Sequence, residues 1–286
     1  MSTQIDTAFV NQFSANIQML SQQMGSLLRD AVDVESVNGE KAFFDQVGSS
    51  AAVKKTSRHA DTPLVETPHT RRMVTMSDYQ WADLIDDQDK VRLLIDPTST
   101  YGRAAAAAMG RAMDDEIIAA ALGTAQTGKD GGTATALPAG QKIAHGSAGL
   151  TVAKLLSAKE TLDAASVDPS LPRTIVVGPR QITDLLGTTE VTSSDFNTVK
   201  ALANGEINQF MGFNFIVSNR LAISSSKREC LLFTNDAIKL ALGKDVMTRI
   251  DERSDKGYAT QVYVCMTMGA TRLEDEKVVT IQAHEA

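Results

Sequence analysis

Apolar residues along this chain keep two different rhythms. Between Phe9 and Leu27 they step by three or four, through Phe13, Ile17, Leu20 and Met24, and the opposite face is mostly glutamine, asparagine and serine. That spacing predicts an amphipathic helix over roughly residues 1–30, whose seam must lie on its own body or on a neighbouring copy. A second helical rhythm runs from Asp96 to Gly123. Met109, Met113 and Ile117 recur every fourth residue, Ile118 and Leu122 widen the face, and alanine fills much of the rest. Asp96 can cap the first turn, Pro97 suits the first helical position, and Gly123 suits a left-handed stop. A single rod over 97–123 is expected, roughly 35–40 Å long at about 1.5 Å per residue. Gly102, Ala106 and Gly110 share its spacing and predict a smooth strip where another backbone approaches closely.

The other rhythm is alternation and short apolar runs. Residues 150–165 predict a helix burying Val152, Leu155, Leu156 and Leu162, and Pro169 and Pro172 end it. R-T-I-V-V-G then reads as a buried strand, Pro179 opens a helix stopped at Gly187, and Ser193-Ser194-Asp195 caps another that ends at Gly205. With the strands F-M-G-F-N-F-I-V-S-N and E-C-L-L-F-T-N, these make a compact α/β unit from about 147 to 240. Downstream, T-Q-V-Y-V-C-M-T-M-G-A and K-V-V-T-I-Q-A alternate as half-buried strands. They can form the sheet on which the long helix packs, leaving the α/β unit as an insertion.

Between the two helical stretches the chain turns polar. Asn38-Gly39 marks a turn, and Phe43-Phe44 reads as a packing anchor. Residues 51–77 read as two extended arms around the proline-bearing tip D-T-P-L-V-E-T-P. The arms carry Lys54, Lys55, Arg58, Arg71 and Arg72 without an acid. Either this is a solvated loop or a hairpin that needs another surface, because an isolated two-stranded hairpin is marginal. Asp78, Asp83, Asp86, Asp87 and Asp89 follow. They lack the glycine and closing glutamate of a calcium loop, so they read as a solvated acidic helix face. Basic hairpin and acidic surface on one chain can register one copy against the next.

Composition narrows the chemistry. A formal charge of −7 argues against a general nucleic-acid binder. No apolar run approaches the roughly 20 residues of a membrane span, and no membrane association is expected. Cys230 and Cys265 sit in apolar runs as thiols of a reducing cytosol, a disulfide or a nucleophile being the alternatives. The four histidines have no metal-ligand spacing. Gly123-T-A-Q-T-Gly128-Lys129-Asp130 has the outline of a phosphate loop but closes a helix and lacks the magnesium-binding hydroxyl, so a loop or hairpin is expected there. Asp114-Asp115 with Arg111 read as helix-surface ion pairing. No catalytic residue, cofactor or metal is expected.

The order of segments resembles the Hong Kong 97-like major capsid (coat) proteins of tailed bacteriophages. Strings that carry the resemblance are F-F-D-Q-V-G-S near residue 43, R-H-A-D-T-P-L-V-E-T-P-H-T-R-R from 58, D-K-V-R-L-L-I-D-P-T-S-T-Y from 89, A-M-G-R-A-M-D-D-E-I-I from 108 and S-D-F-N-T-V-K-A-L-A-N-G-E-I from 194. It implies an α+β fold: an N-terminal arm over 1–50, an extended loop over 51–77, and a peripheral domain over 78–146 containing the spine helix. An axial domain over 147–244 and peripheral-domain strands over 245–286 complete it. Pentamers and hexamers of the chain would form an icosahedral virion shell, assembled in the host cytoplasm around double-stranded DNA that it does not bind specifically. A portal protein and, with only about 50 residues ahead of the hairpin, a separate scaffolding protein would be partners. The expected subunit interface comprises Phe13, Ile17, Leu20, Lys54, Lys55, Arg58, Arg71, Arg72, Asp83, Asp86 and Asp87. Some relatives cross-link lysine to asparagine, and Lys54 and Lys55 lie in the corresponding loop, but no partner asparagine stands out. A cellular nanocompartment shell of the same fold and an α/β enzyme with an unrecognised site are the alternatives.

Overall fold

The computed structural model describes residues 22–59, 61–86, 98–187 and 209–285. In chain order the strands and helices begin with β1 (Asp33–Ser36), β2 (Lys41–Val47), β3 (His69–Thr75), β4 (Ser77–Ile85) and α1 (Thr98–Leu122). The short strands β5 (Ala125–Thr127), β6 (Thr133–Thr135) and β7 (Lys142–Ile143) follow. Next come α2 (Val152–Ala164), β8 (Arg173–Val177), α3 (Pro179–Leu186), β9 (Gln209–Phe210), β10 (Phe213–Val217) and β11 (Ile223–Ser224). The last four are β12 (Lys227–Thr234), β13 (Ile238–Arg253), β14 (Ala259–Arg272) and β15 (Val278–His284).

Helix α1 matches the expected rod to within a residue at each end. Met109, Met113 and Ile117 are buried and meet Val264, Met266 and Met268, which alternate along β14. A four-stranded sheet in the order β1-β13-β14-β4 therefore receives the helix's apolar stripe. The smooth strip is only partly right. A Cβ on Gly110 would lie 2.3 Å from the Gly25 carbonyl carbon, so glycine is required there, whereas Gly102 has open space and Ala106 is exposed. Gly123 is not left-handed; its N–H still bonds to Ala119 O at 2.8 Å, and a Cβ would press on that same oxygen.

The α/β unit is built on a seven-stranded sheet ordered β7-β15-β12-β8-β10-β9, with β11 paired to β12. Every residue of β8 is buried. The reason is that Val176, Leu231, Phe233 and Val278 turn to the α1 core, while Ile175, Val177, Leu232, Val279 and Ile281 turn to α2 and α3. Both faces are covered, which is why the strand reads as an unbroken apolar run. The last strand corrects the expectation for 245–286. β15 does not return to the sheet under α1; it pairs antiparallel with β12 and parallel with β7. Likewise β13 leaves the α/β unit at Ile238, before the expected boundary at 244. Alternation identifies a strand but carries no information on its partner. Leu156, expected inside, is 53% exposed, because α2 turns Leu155, Ala158 and Leu162 to the sheet. The helix expected between Ser193 and Gly205 lies outside the described residues.

Further corrections concern the polar region. Over Ser77–Ile85 the acidic stretch after Met76 is not a helix but strand β4, paired along its length with β14; Asp87 and Asp89 lie outside the described residues. Tyr79 and Trp81 pack towards α1 while their neighbours are exposed, a period of two that the carboxylates obscured. The hairpin stem is β2 against β3, not two arms within 51–77. Gly48 N bonds to Pro68 O at 2.8 Å and closes the stem; a Cβ there would meet Pro68 Cγ at 2.7 Å. Phe43 is 41% exposed and lies on the stem's outer face, not in a core. A third sheet, β2-β3-β5-β6, continues the stem into the hairpin built on the Gly123–Asp130 stretch.

Candidate functional site

The stem is rooted in the body by a network that sequence reasoning missed. Arg72, expected to face a neighbour, is buried: Nε donates to Leu273 O at 2.8 Å and Nη2 to Asp275 Oδ2 at 3.0 Å. Asp275 also accepts from Arg272 Nε at 2.5 Å. Arg272 is completely buried and gives its remaining donors to Ala121 O, Gly123 O and Thr135 O at 2.9, 2.8 and 3.1 Å. One carboxylate thus joins β3, the turn after β14, the negative end of α1 and β6. Arg71, one residue away, points to the other face of the strand. It pairs with Asp45 across the stem and lies over the Phe43 ring at 5.4 Å. This hydrogen-bonded guanidinium holds the Asp45 carboxyl below its ordinary value. Arg71 is therefore also committed within its own subunit.

Beyond the stem, residues 49–59 and 61–66 run exposed, with Leu64 97% accessible. Lys54, Lys55 and Arg58 are exposed on the first leg and form no ion pair among the described residues. A cleft of about 360 Å³ separates Val53–Thr56 from Asp61–Pro63, so the two legs face one another without pairing. Asp83 and Asp86 are exposed at the far end of β4. Phe13, Ile17, Leu20 and Asp87 lie outside the described residues. Of the seam that led up to them, Met24 is 55% and Leu27 40% exposed, while Leu28, off the seam, is fully buried. Residues 22–28 are not helical.

What fixes that segment is Asp114. The sequence reading of a surface ion pair is wrong for it: the side chain is fully buried and accepts from Gln23 Nε2 and Ser26 Oγ, both at 2.5 Å, and from the amides of Leu27 and Leu28 at 3.1 Å. Arg111 adds bonds to Gln22 Oε1 and Gln23 O, and Asp115 pairs with Arg220 instead. The signal that could have found Asp114 is its place on the same face as Gly110 and Ile117, the face that meets other chain.

Burial pushes the Cys230 thiol up to about 12, so it stays protonated. Cys265 is a second free thiol, half-buried. Among the described residues no cluster of three or more histidine, cysteine and acidic side chains could hold a metal, and no helix is long and apolar enough to cross a membrane.

Comparison with solved structures identifies the fold as that of tailed-phage capsid proteins of the Hong Kong 97-like type. The capsid of cyanophage P-SCSP1u superposes with a TM-score of 0.77 at 18% identity, covering 100% of this chain and 96% of that one. The acid-stable capsid of Helicobacter pylori bacteriophage KHP30 gives 0.76 at 12%, covering 99% and 98%. Mycobacterium phage Che8 gives 0.70 at 17%, covering 96% and 97%. No curated protein sequence matches. A family profile described as phage capsid protein matches residues 5–285, and the chain belongs to that family.

Proposed function

We propose that this chain is the major capsid protein of a tailed phage, copies of which form pentamers and hexamers of an icosahedral shell around double-stranded DNA. The family match across residues 5–285 is the observation that carries it. The fold supports it: a hairpin stem anchored by Asp275 presents a long loop that is exposed among the described residues. The negative net charge suits a wall that encloses DNA without gripping it. The stretches 51–77, 97–123 and 147–244 would serve as extended loop, spine helix and axial domain. Resemblance to the family supports a portal protein and a separate scaffolding protein as further partners, and the virion, assembled in the host cytoplasm, as the location. Electron microscopy of the purified protein should reveal closed particles with five- and six-fold capsomers. A chain that stays monomeric at high concentration, with or without scaffolding protein, would overturn the proposal.

A further inference from the structure

The corner where β7 leads into α2 is held by a histidine that can do so only while it is neutral. His145 O accepts from Ala148 N at 3.0 Å and closes a tight turn, inside which Gly146 and Ser147 stand at φ +52° and +56°. Glycine takes up that left-handed geometry freely, whereas serine does so at a cost. A side chain supplies the compensating bond: Ser147 N donates to His145 Nδ1 at 3.0 Å. A main-chain N–H can only donate, so Nδ1 must present its lone pair. Both nitrogens of an imidazolium carry protons, and protonation would set two donors against each other.

The closed turn has a second task. The carbonyl oxygens of His145, Ala148 and Gly149, with that of Gln282 in β15, surround Lys154 Nζ at 2.8, 2.7, 2.7 and 3.1 Å. Ala148 O also accepts from His284 N at 2.9 Å. One turn therefore fastens the start of α2 to the end of β15. Positive charge crowds it. The His284 ring lies 6.1 Å from that of His145, centroid to centroid, and Lys227 stands opposite His284 in the ladder of β12 and β15. Among the described residues no carboxylate pairs with either imidazole: Asp184 on α3 lies against Gly149, Glu229 accepts from Gln282, and Glu285 accepts from Arg228 and Gln181. Burial first, and then repulsion from Lys227, His284 and Lys154, hold His145 below its ordinary 6.5.

From the histidine acceptor, the left-handed serine and the carbonyl cage together, we propose that His145–Gly149 is a proton-operated latch. Neutral His145 keeps the turn shut over Lys154; protonated His145 opens it and frees α2 and the end of β15 from one another. Because the folded value is depressed, the latch is complete above pH 6.5 and is lost as pH falls through that lower value. It works within one subunit and does not depend on the capsid reading.

Amide hydrogen exchange of the wild-type chain at about pH 7.5 and about pH 5, corrected for intrinsic rates, tests this. The amides of Ala148 and His284 should lose about fivefold or more of their protection at the lower pH. Thr280 and Ile281, laddered to both β12 and β7, should keep theirs. Equal protection of Ala148 and His284 at both pH values would overturn the latch. So would an acid loss of the same size at Thr280 and Ile281, which would mean general unfolding. His145→Asn keeps an oxygen that can accept from Ser147 N but has nothing to titrate, so its protection should be the same at both pH values. A loss in acid as large as that of wild type would show that another group drives the opening, and would overturn the assignment to His145. His145→Ala has no acceptor and should already show the low protection at the higher pH. Full protection there would mean that the imidazole does not close the turn.

Discussion

Asp275 satisfies two arginines at once, and both are nearly or wholly buried. Removing it would leave two positive charges in the interior with only carbonyl partners, so Asp275→Ala should cost about 3–5 kcal/mol of subunit stability, measured by urea denaturation. Arg72→Glu should fail in the same way, for a reason unrelated to assembly. Three other paired carboxylates, Asp45 and Asp245 exposed and Glu285 half-buried, behave differently. Hydrogen bonds from Arg71, Arg29 and Arg228 hold Asp45, Asp245 and Glu285 below their ordinary values. With the folded value depressed, each contribution is complete above the unfolded value and is lost as pH falls through the folded one. These three links should therefore hold at pH 5 and dissolve only in acid below the ordinary 3.8 of an aspartate or 4.5 of a glutamate. Carboxyl-carbon NMR titration of the subunit should give all three midpoints below those figures. Midpoints at or above them would contradict the pairing.

At the scale of the element, two glycines in α1 make a controlled comparison. A methyl at Gly102 meets nothing within 4 Å, so Gly102→Ala should stabilise by about 0.5–1 kcal/mol through helix propensity alone. At Gly110 the same methyl collides with the backbone of Gly25 and Ser26, so Gly110→Ala should destabilise by about 1–3 kcal/mol. Thermal melts of the two variants should move in opposite directions. The sequence displayed α1 and β8 clearly, because a fourfold apolar step and an unbroken β-branched run each have one structural meaning. It hid β4, where carboxylates masked an alternation of Tyr79, Trp81 and Ile85. It also hid the roles of Arg71 and Arg72, adjacent basic residues that strand geometry sends to opposite faces, one to the stem surface and one to the interior. Asp114 was overlooked for a different reason: its partners lie 86 to 91 residues away, and only its place on the Gly110–Ile117 face marks it as buried.

For the molecule as a whole, the seven-stranded sheet divides two hydrophobic clusters and contributes to both. The α/β unit is therefore not separable along the chain. A fragment spanning 147–244 lacks β15 and β7, and Leu232 and Leu231 in β12 would lose the strand beside them. That fragment should be insoluble, or expanded with low cooperativity in urea. Tethering 278–284 to it by a flexible linker should restore a sharp transition, and a sharp transition without the tether would show that β15 is dispensable.

The central position of β15 also bears on timing. A ribosome delivers Val278–His284 after every other strand of both sheets, yet those residues stand between β12 and β7. Until they emerge, a growing polypeptide cannot seal either cluster. Half-made subunits therefore carry the apolar residues of both clusters uncovered where Val278, Val279 and Ile281 belong.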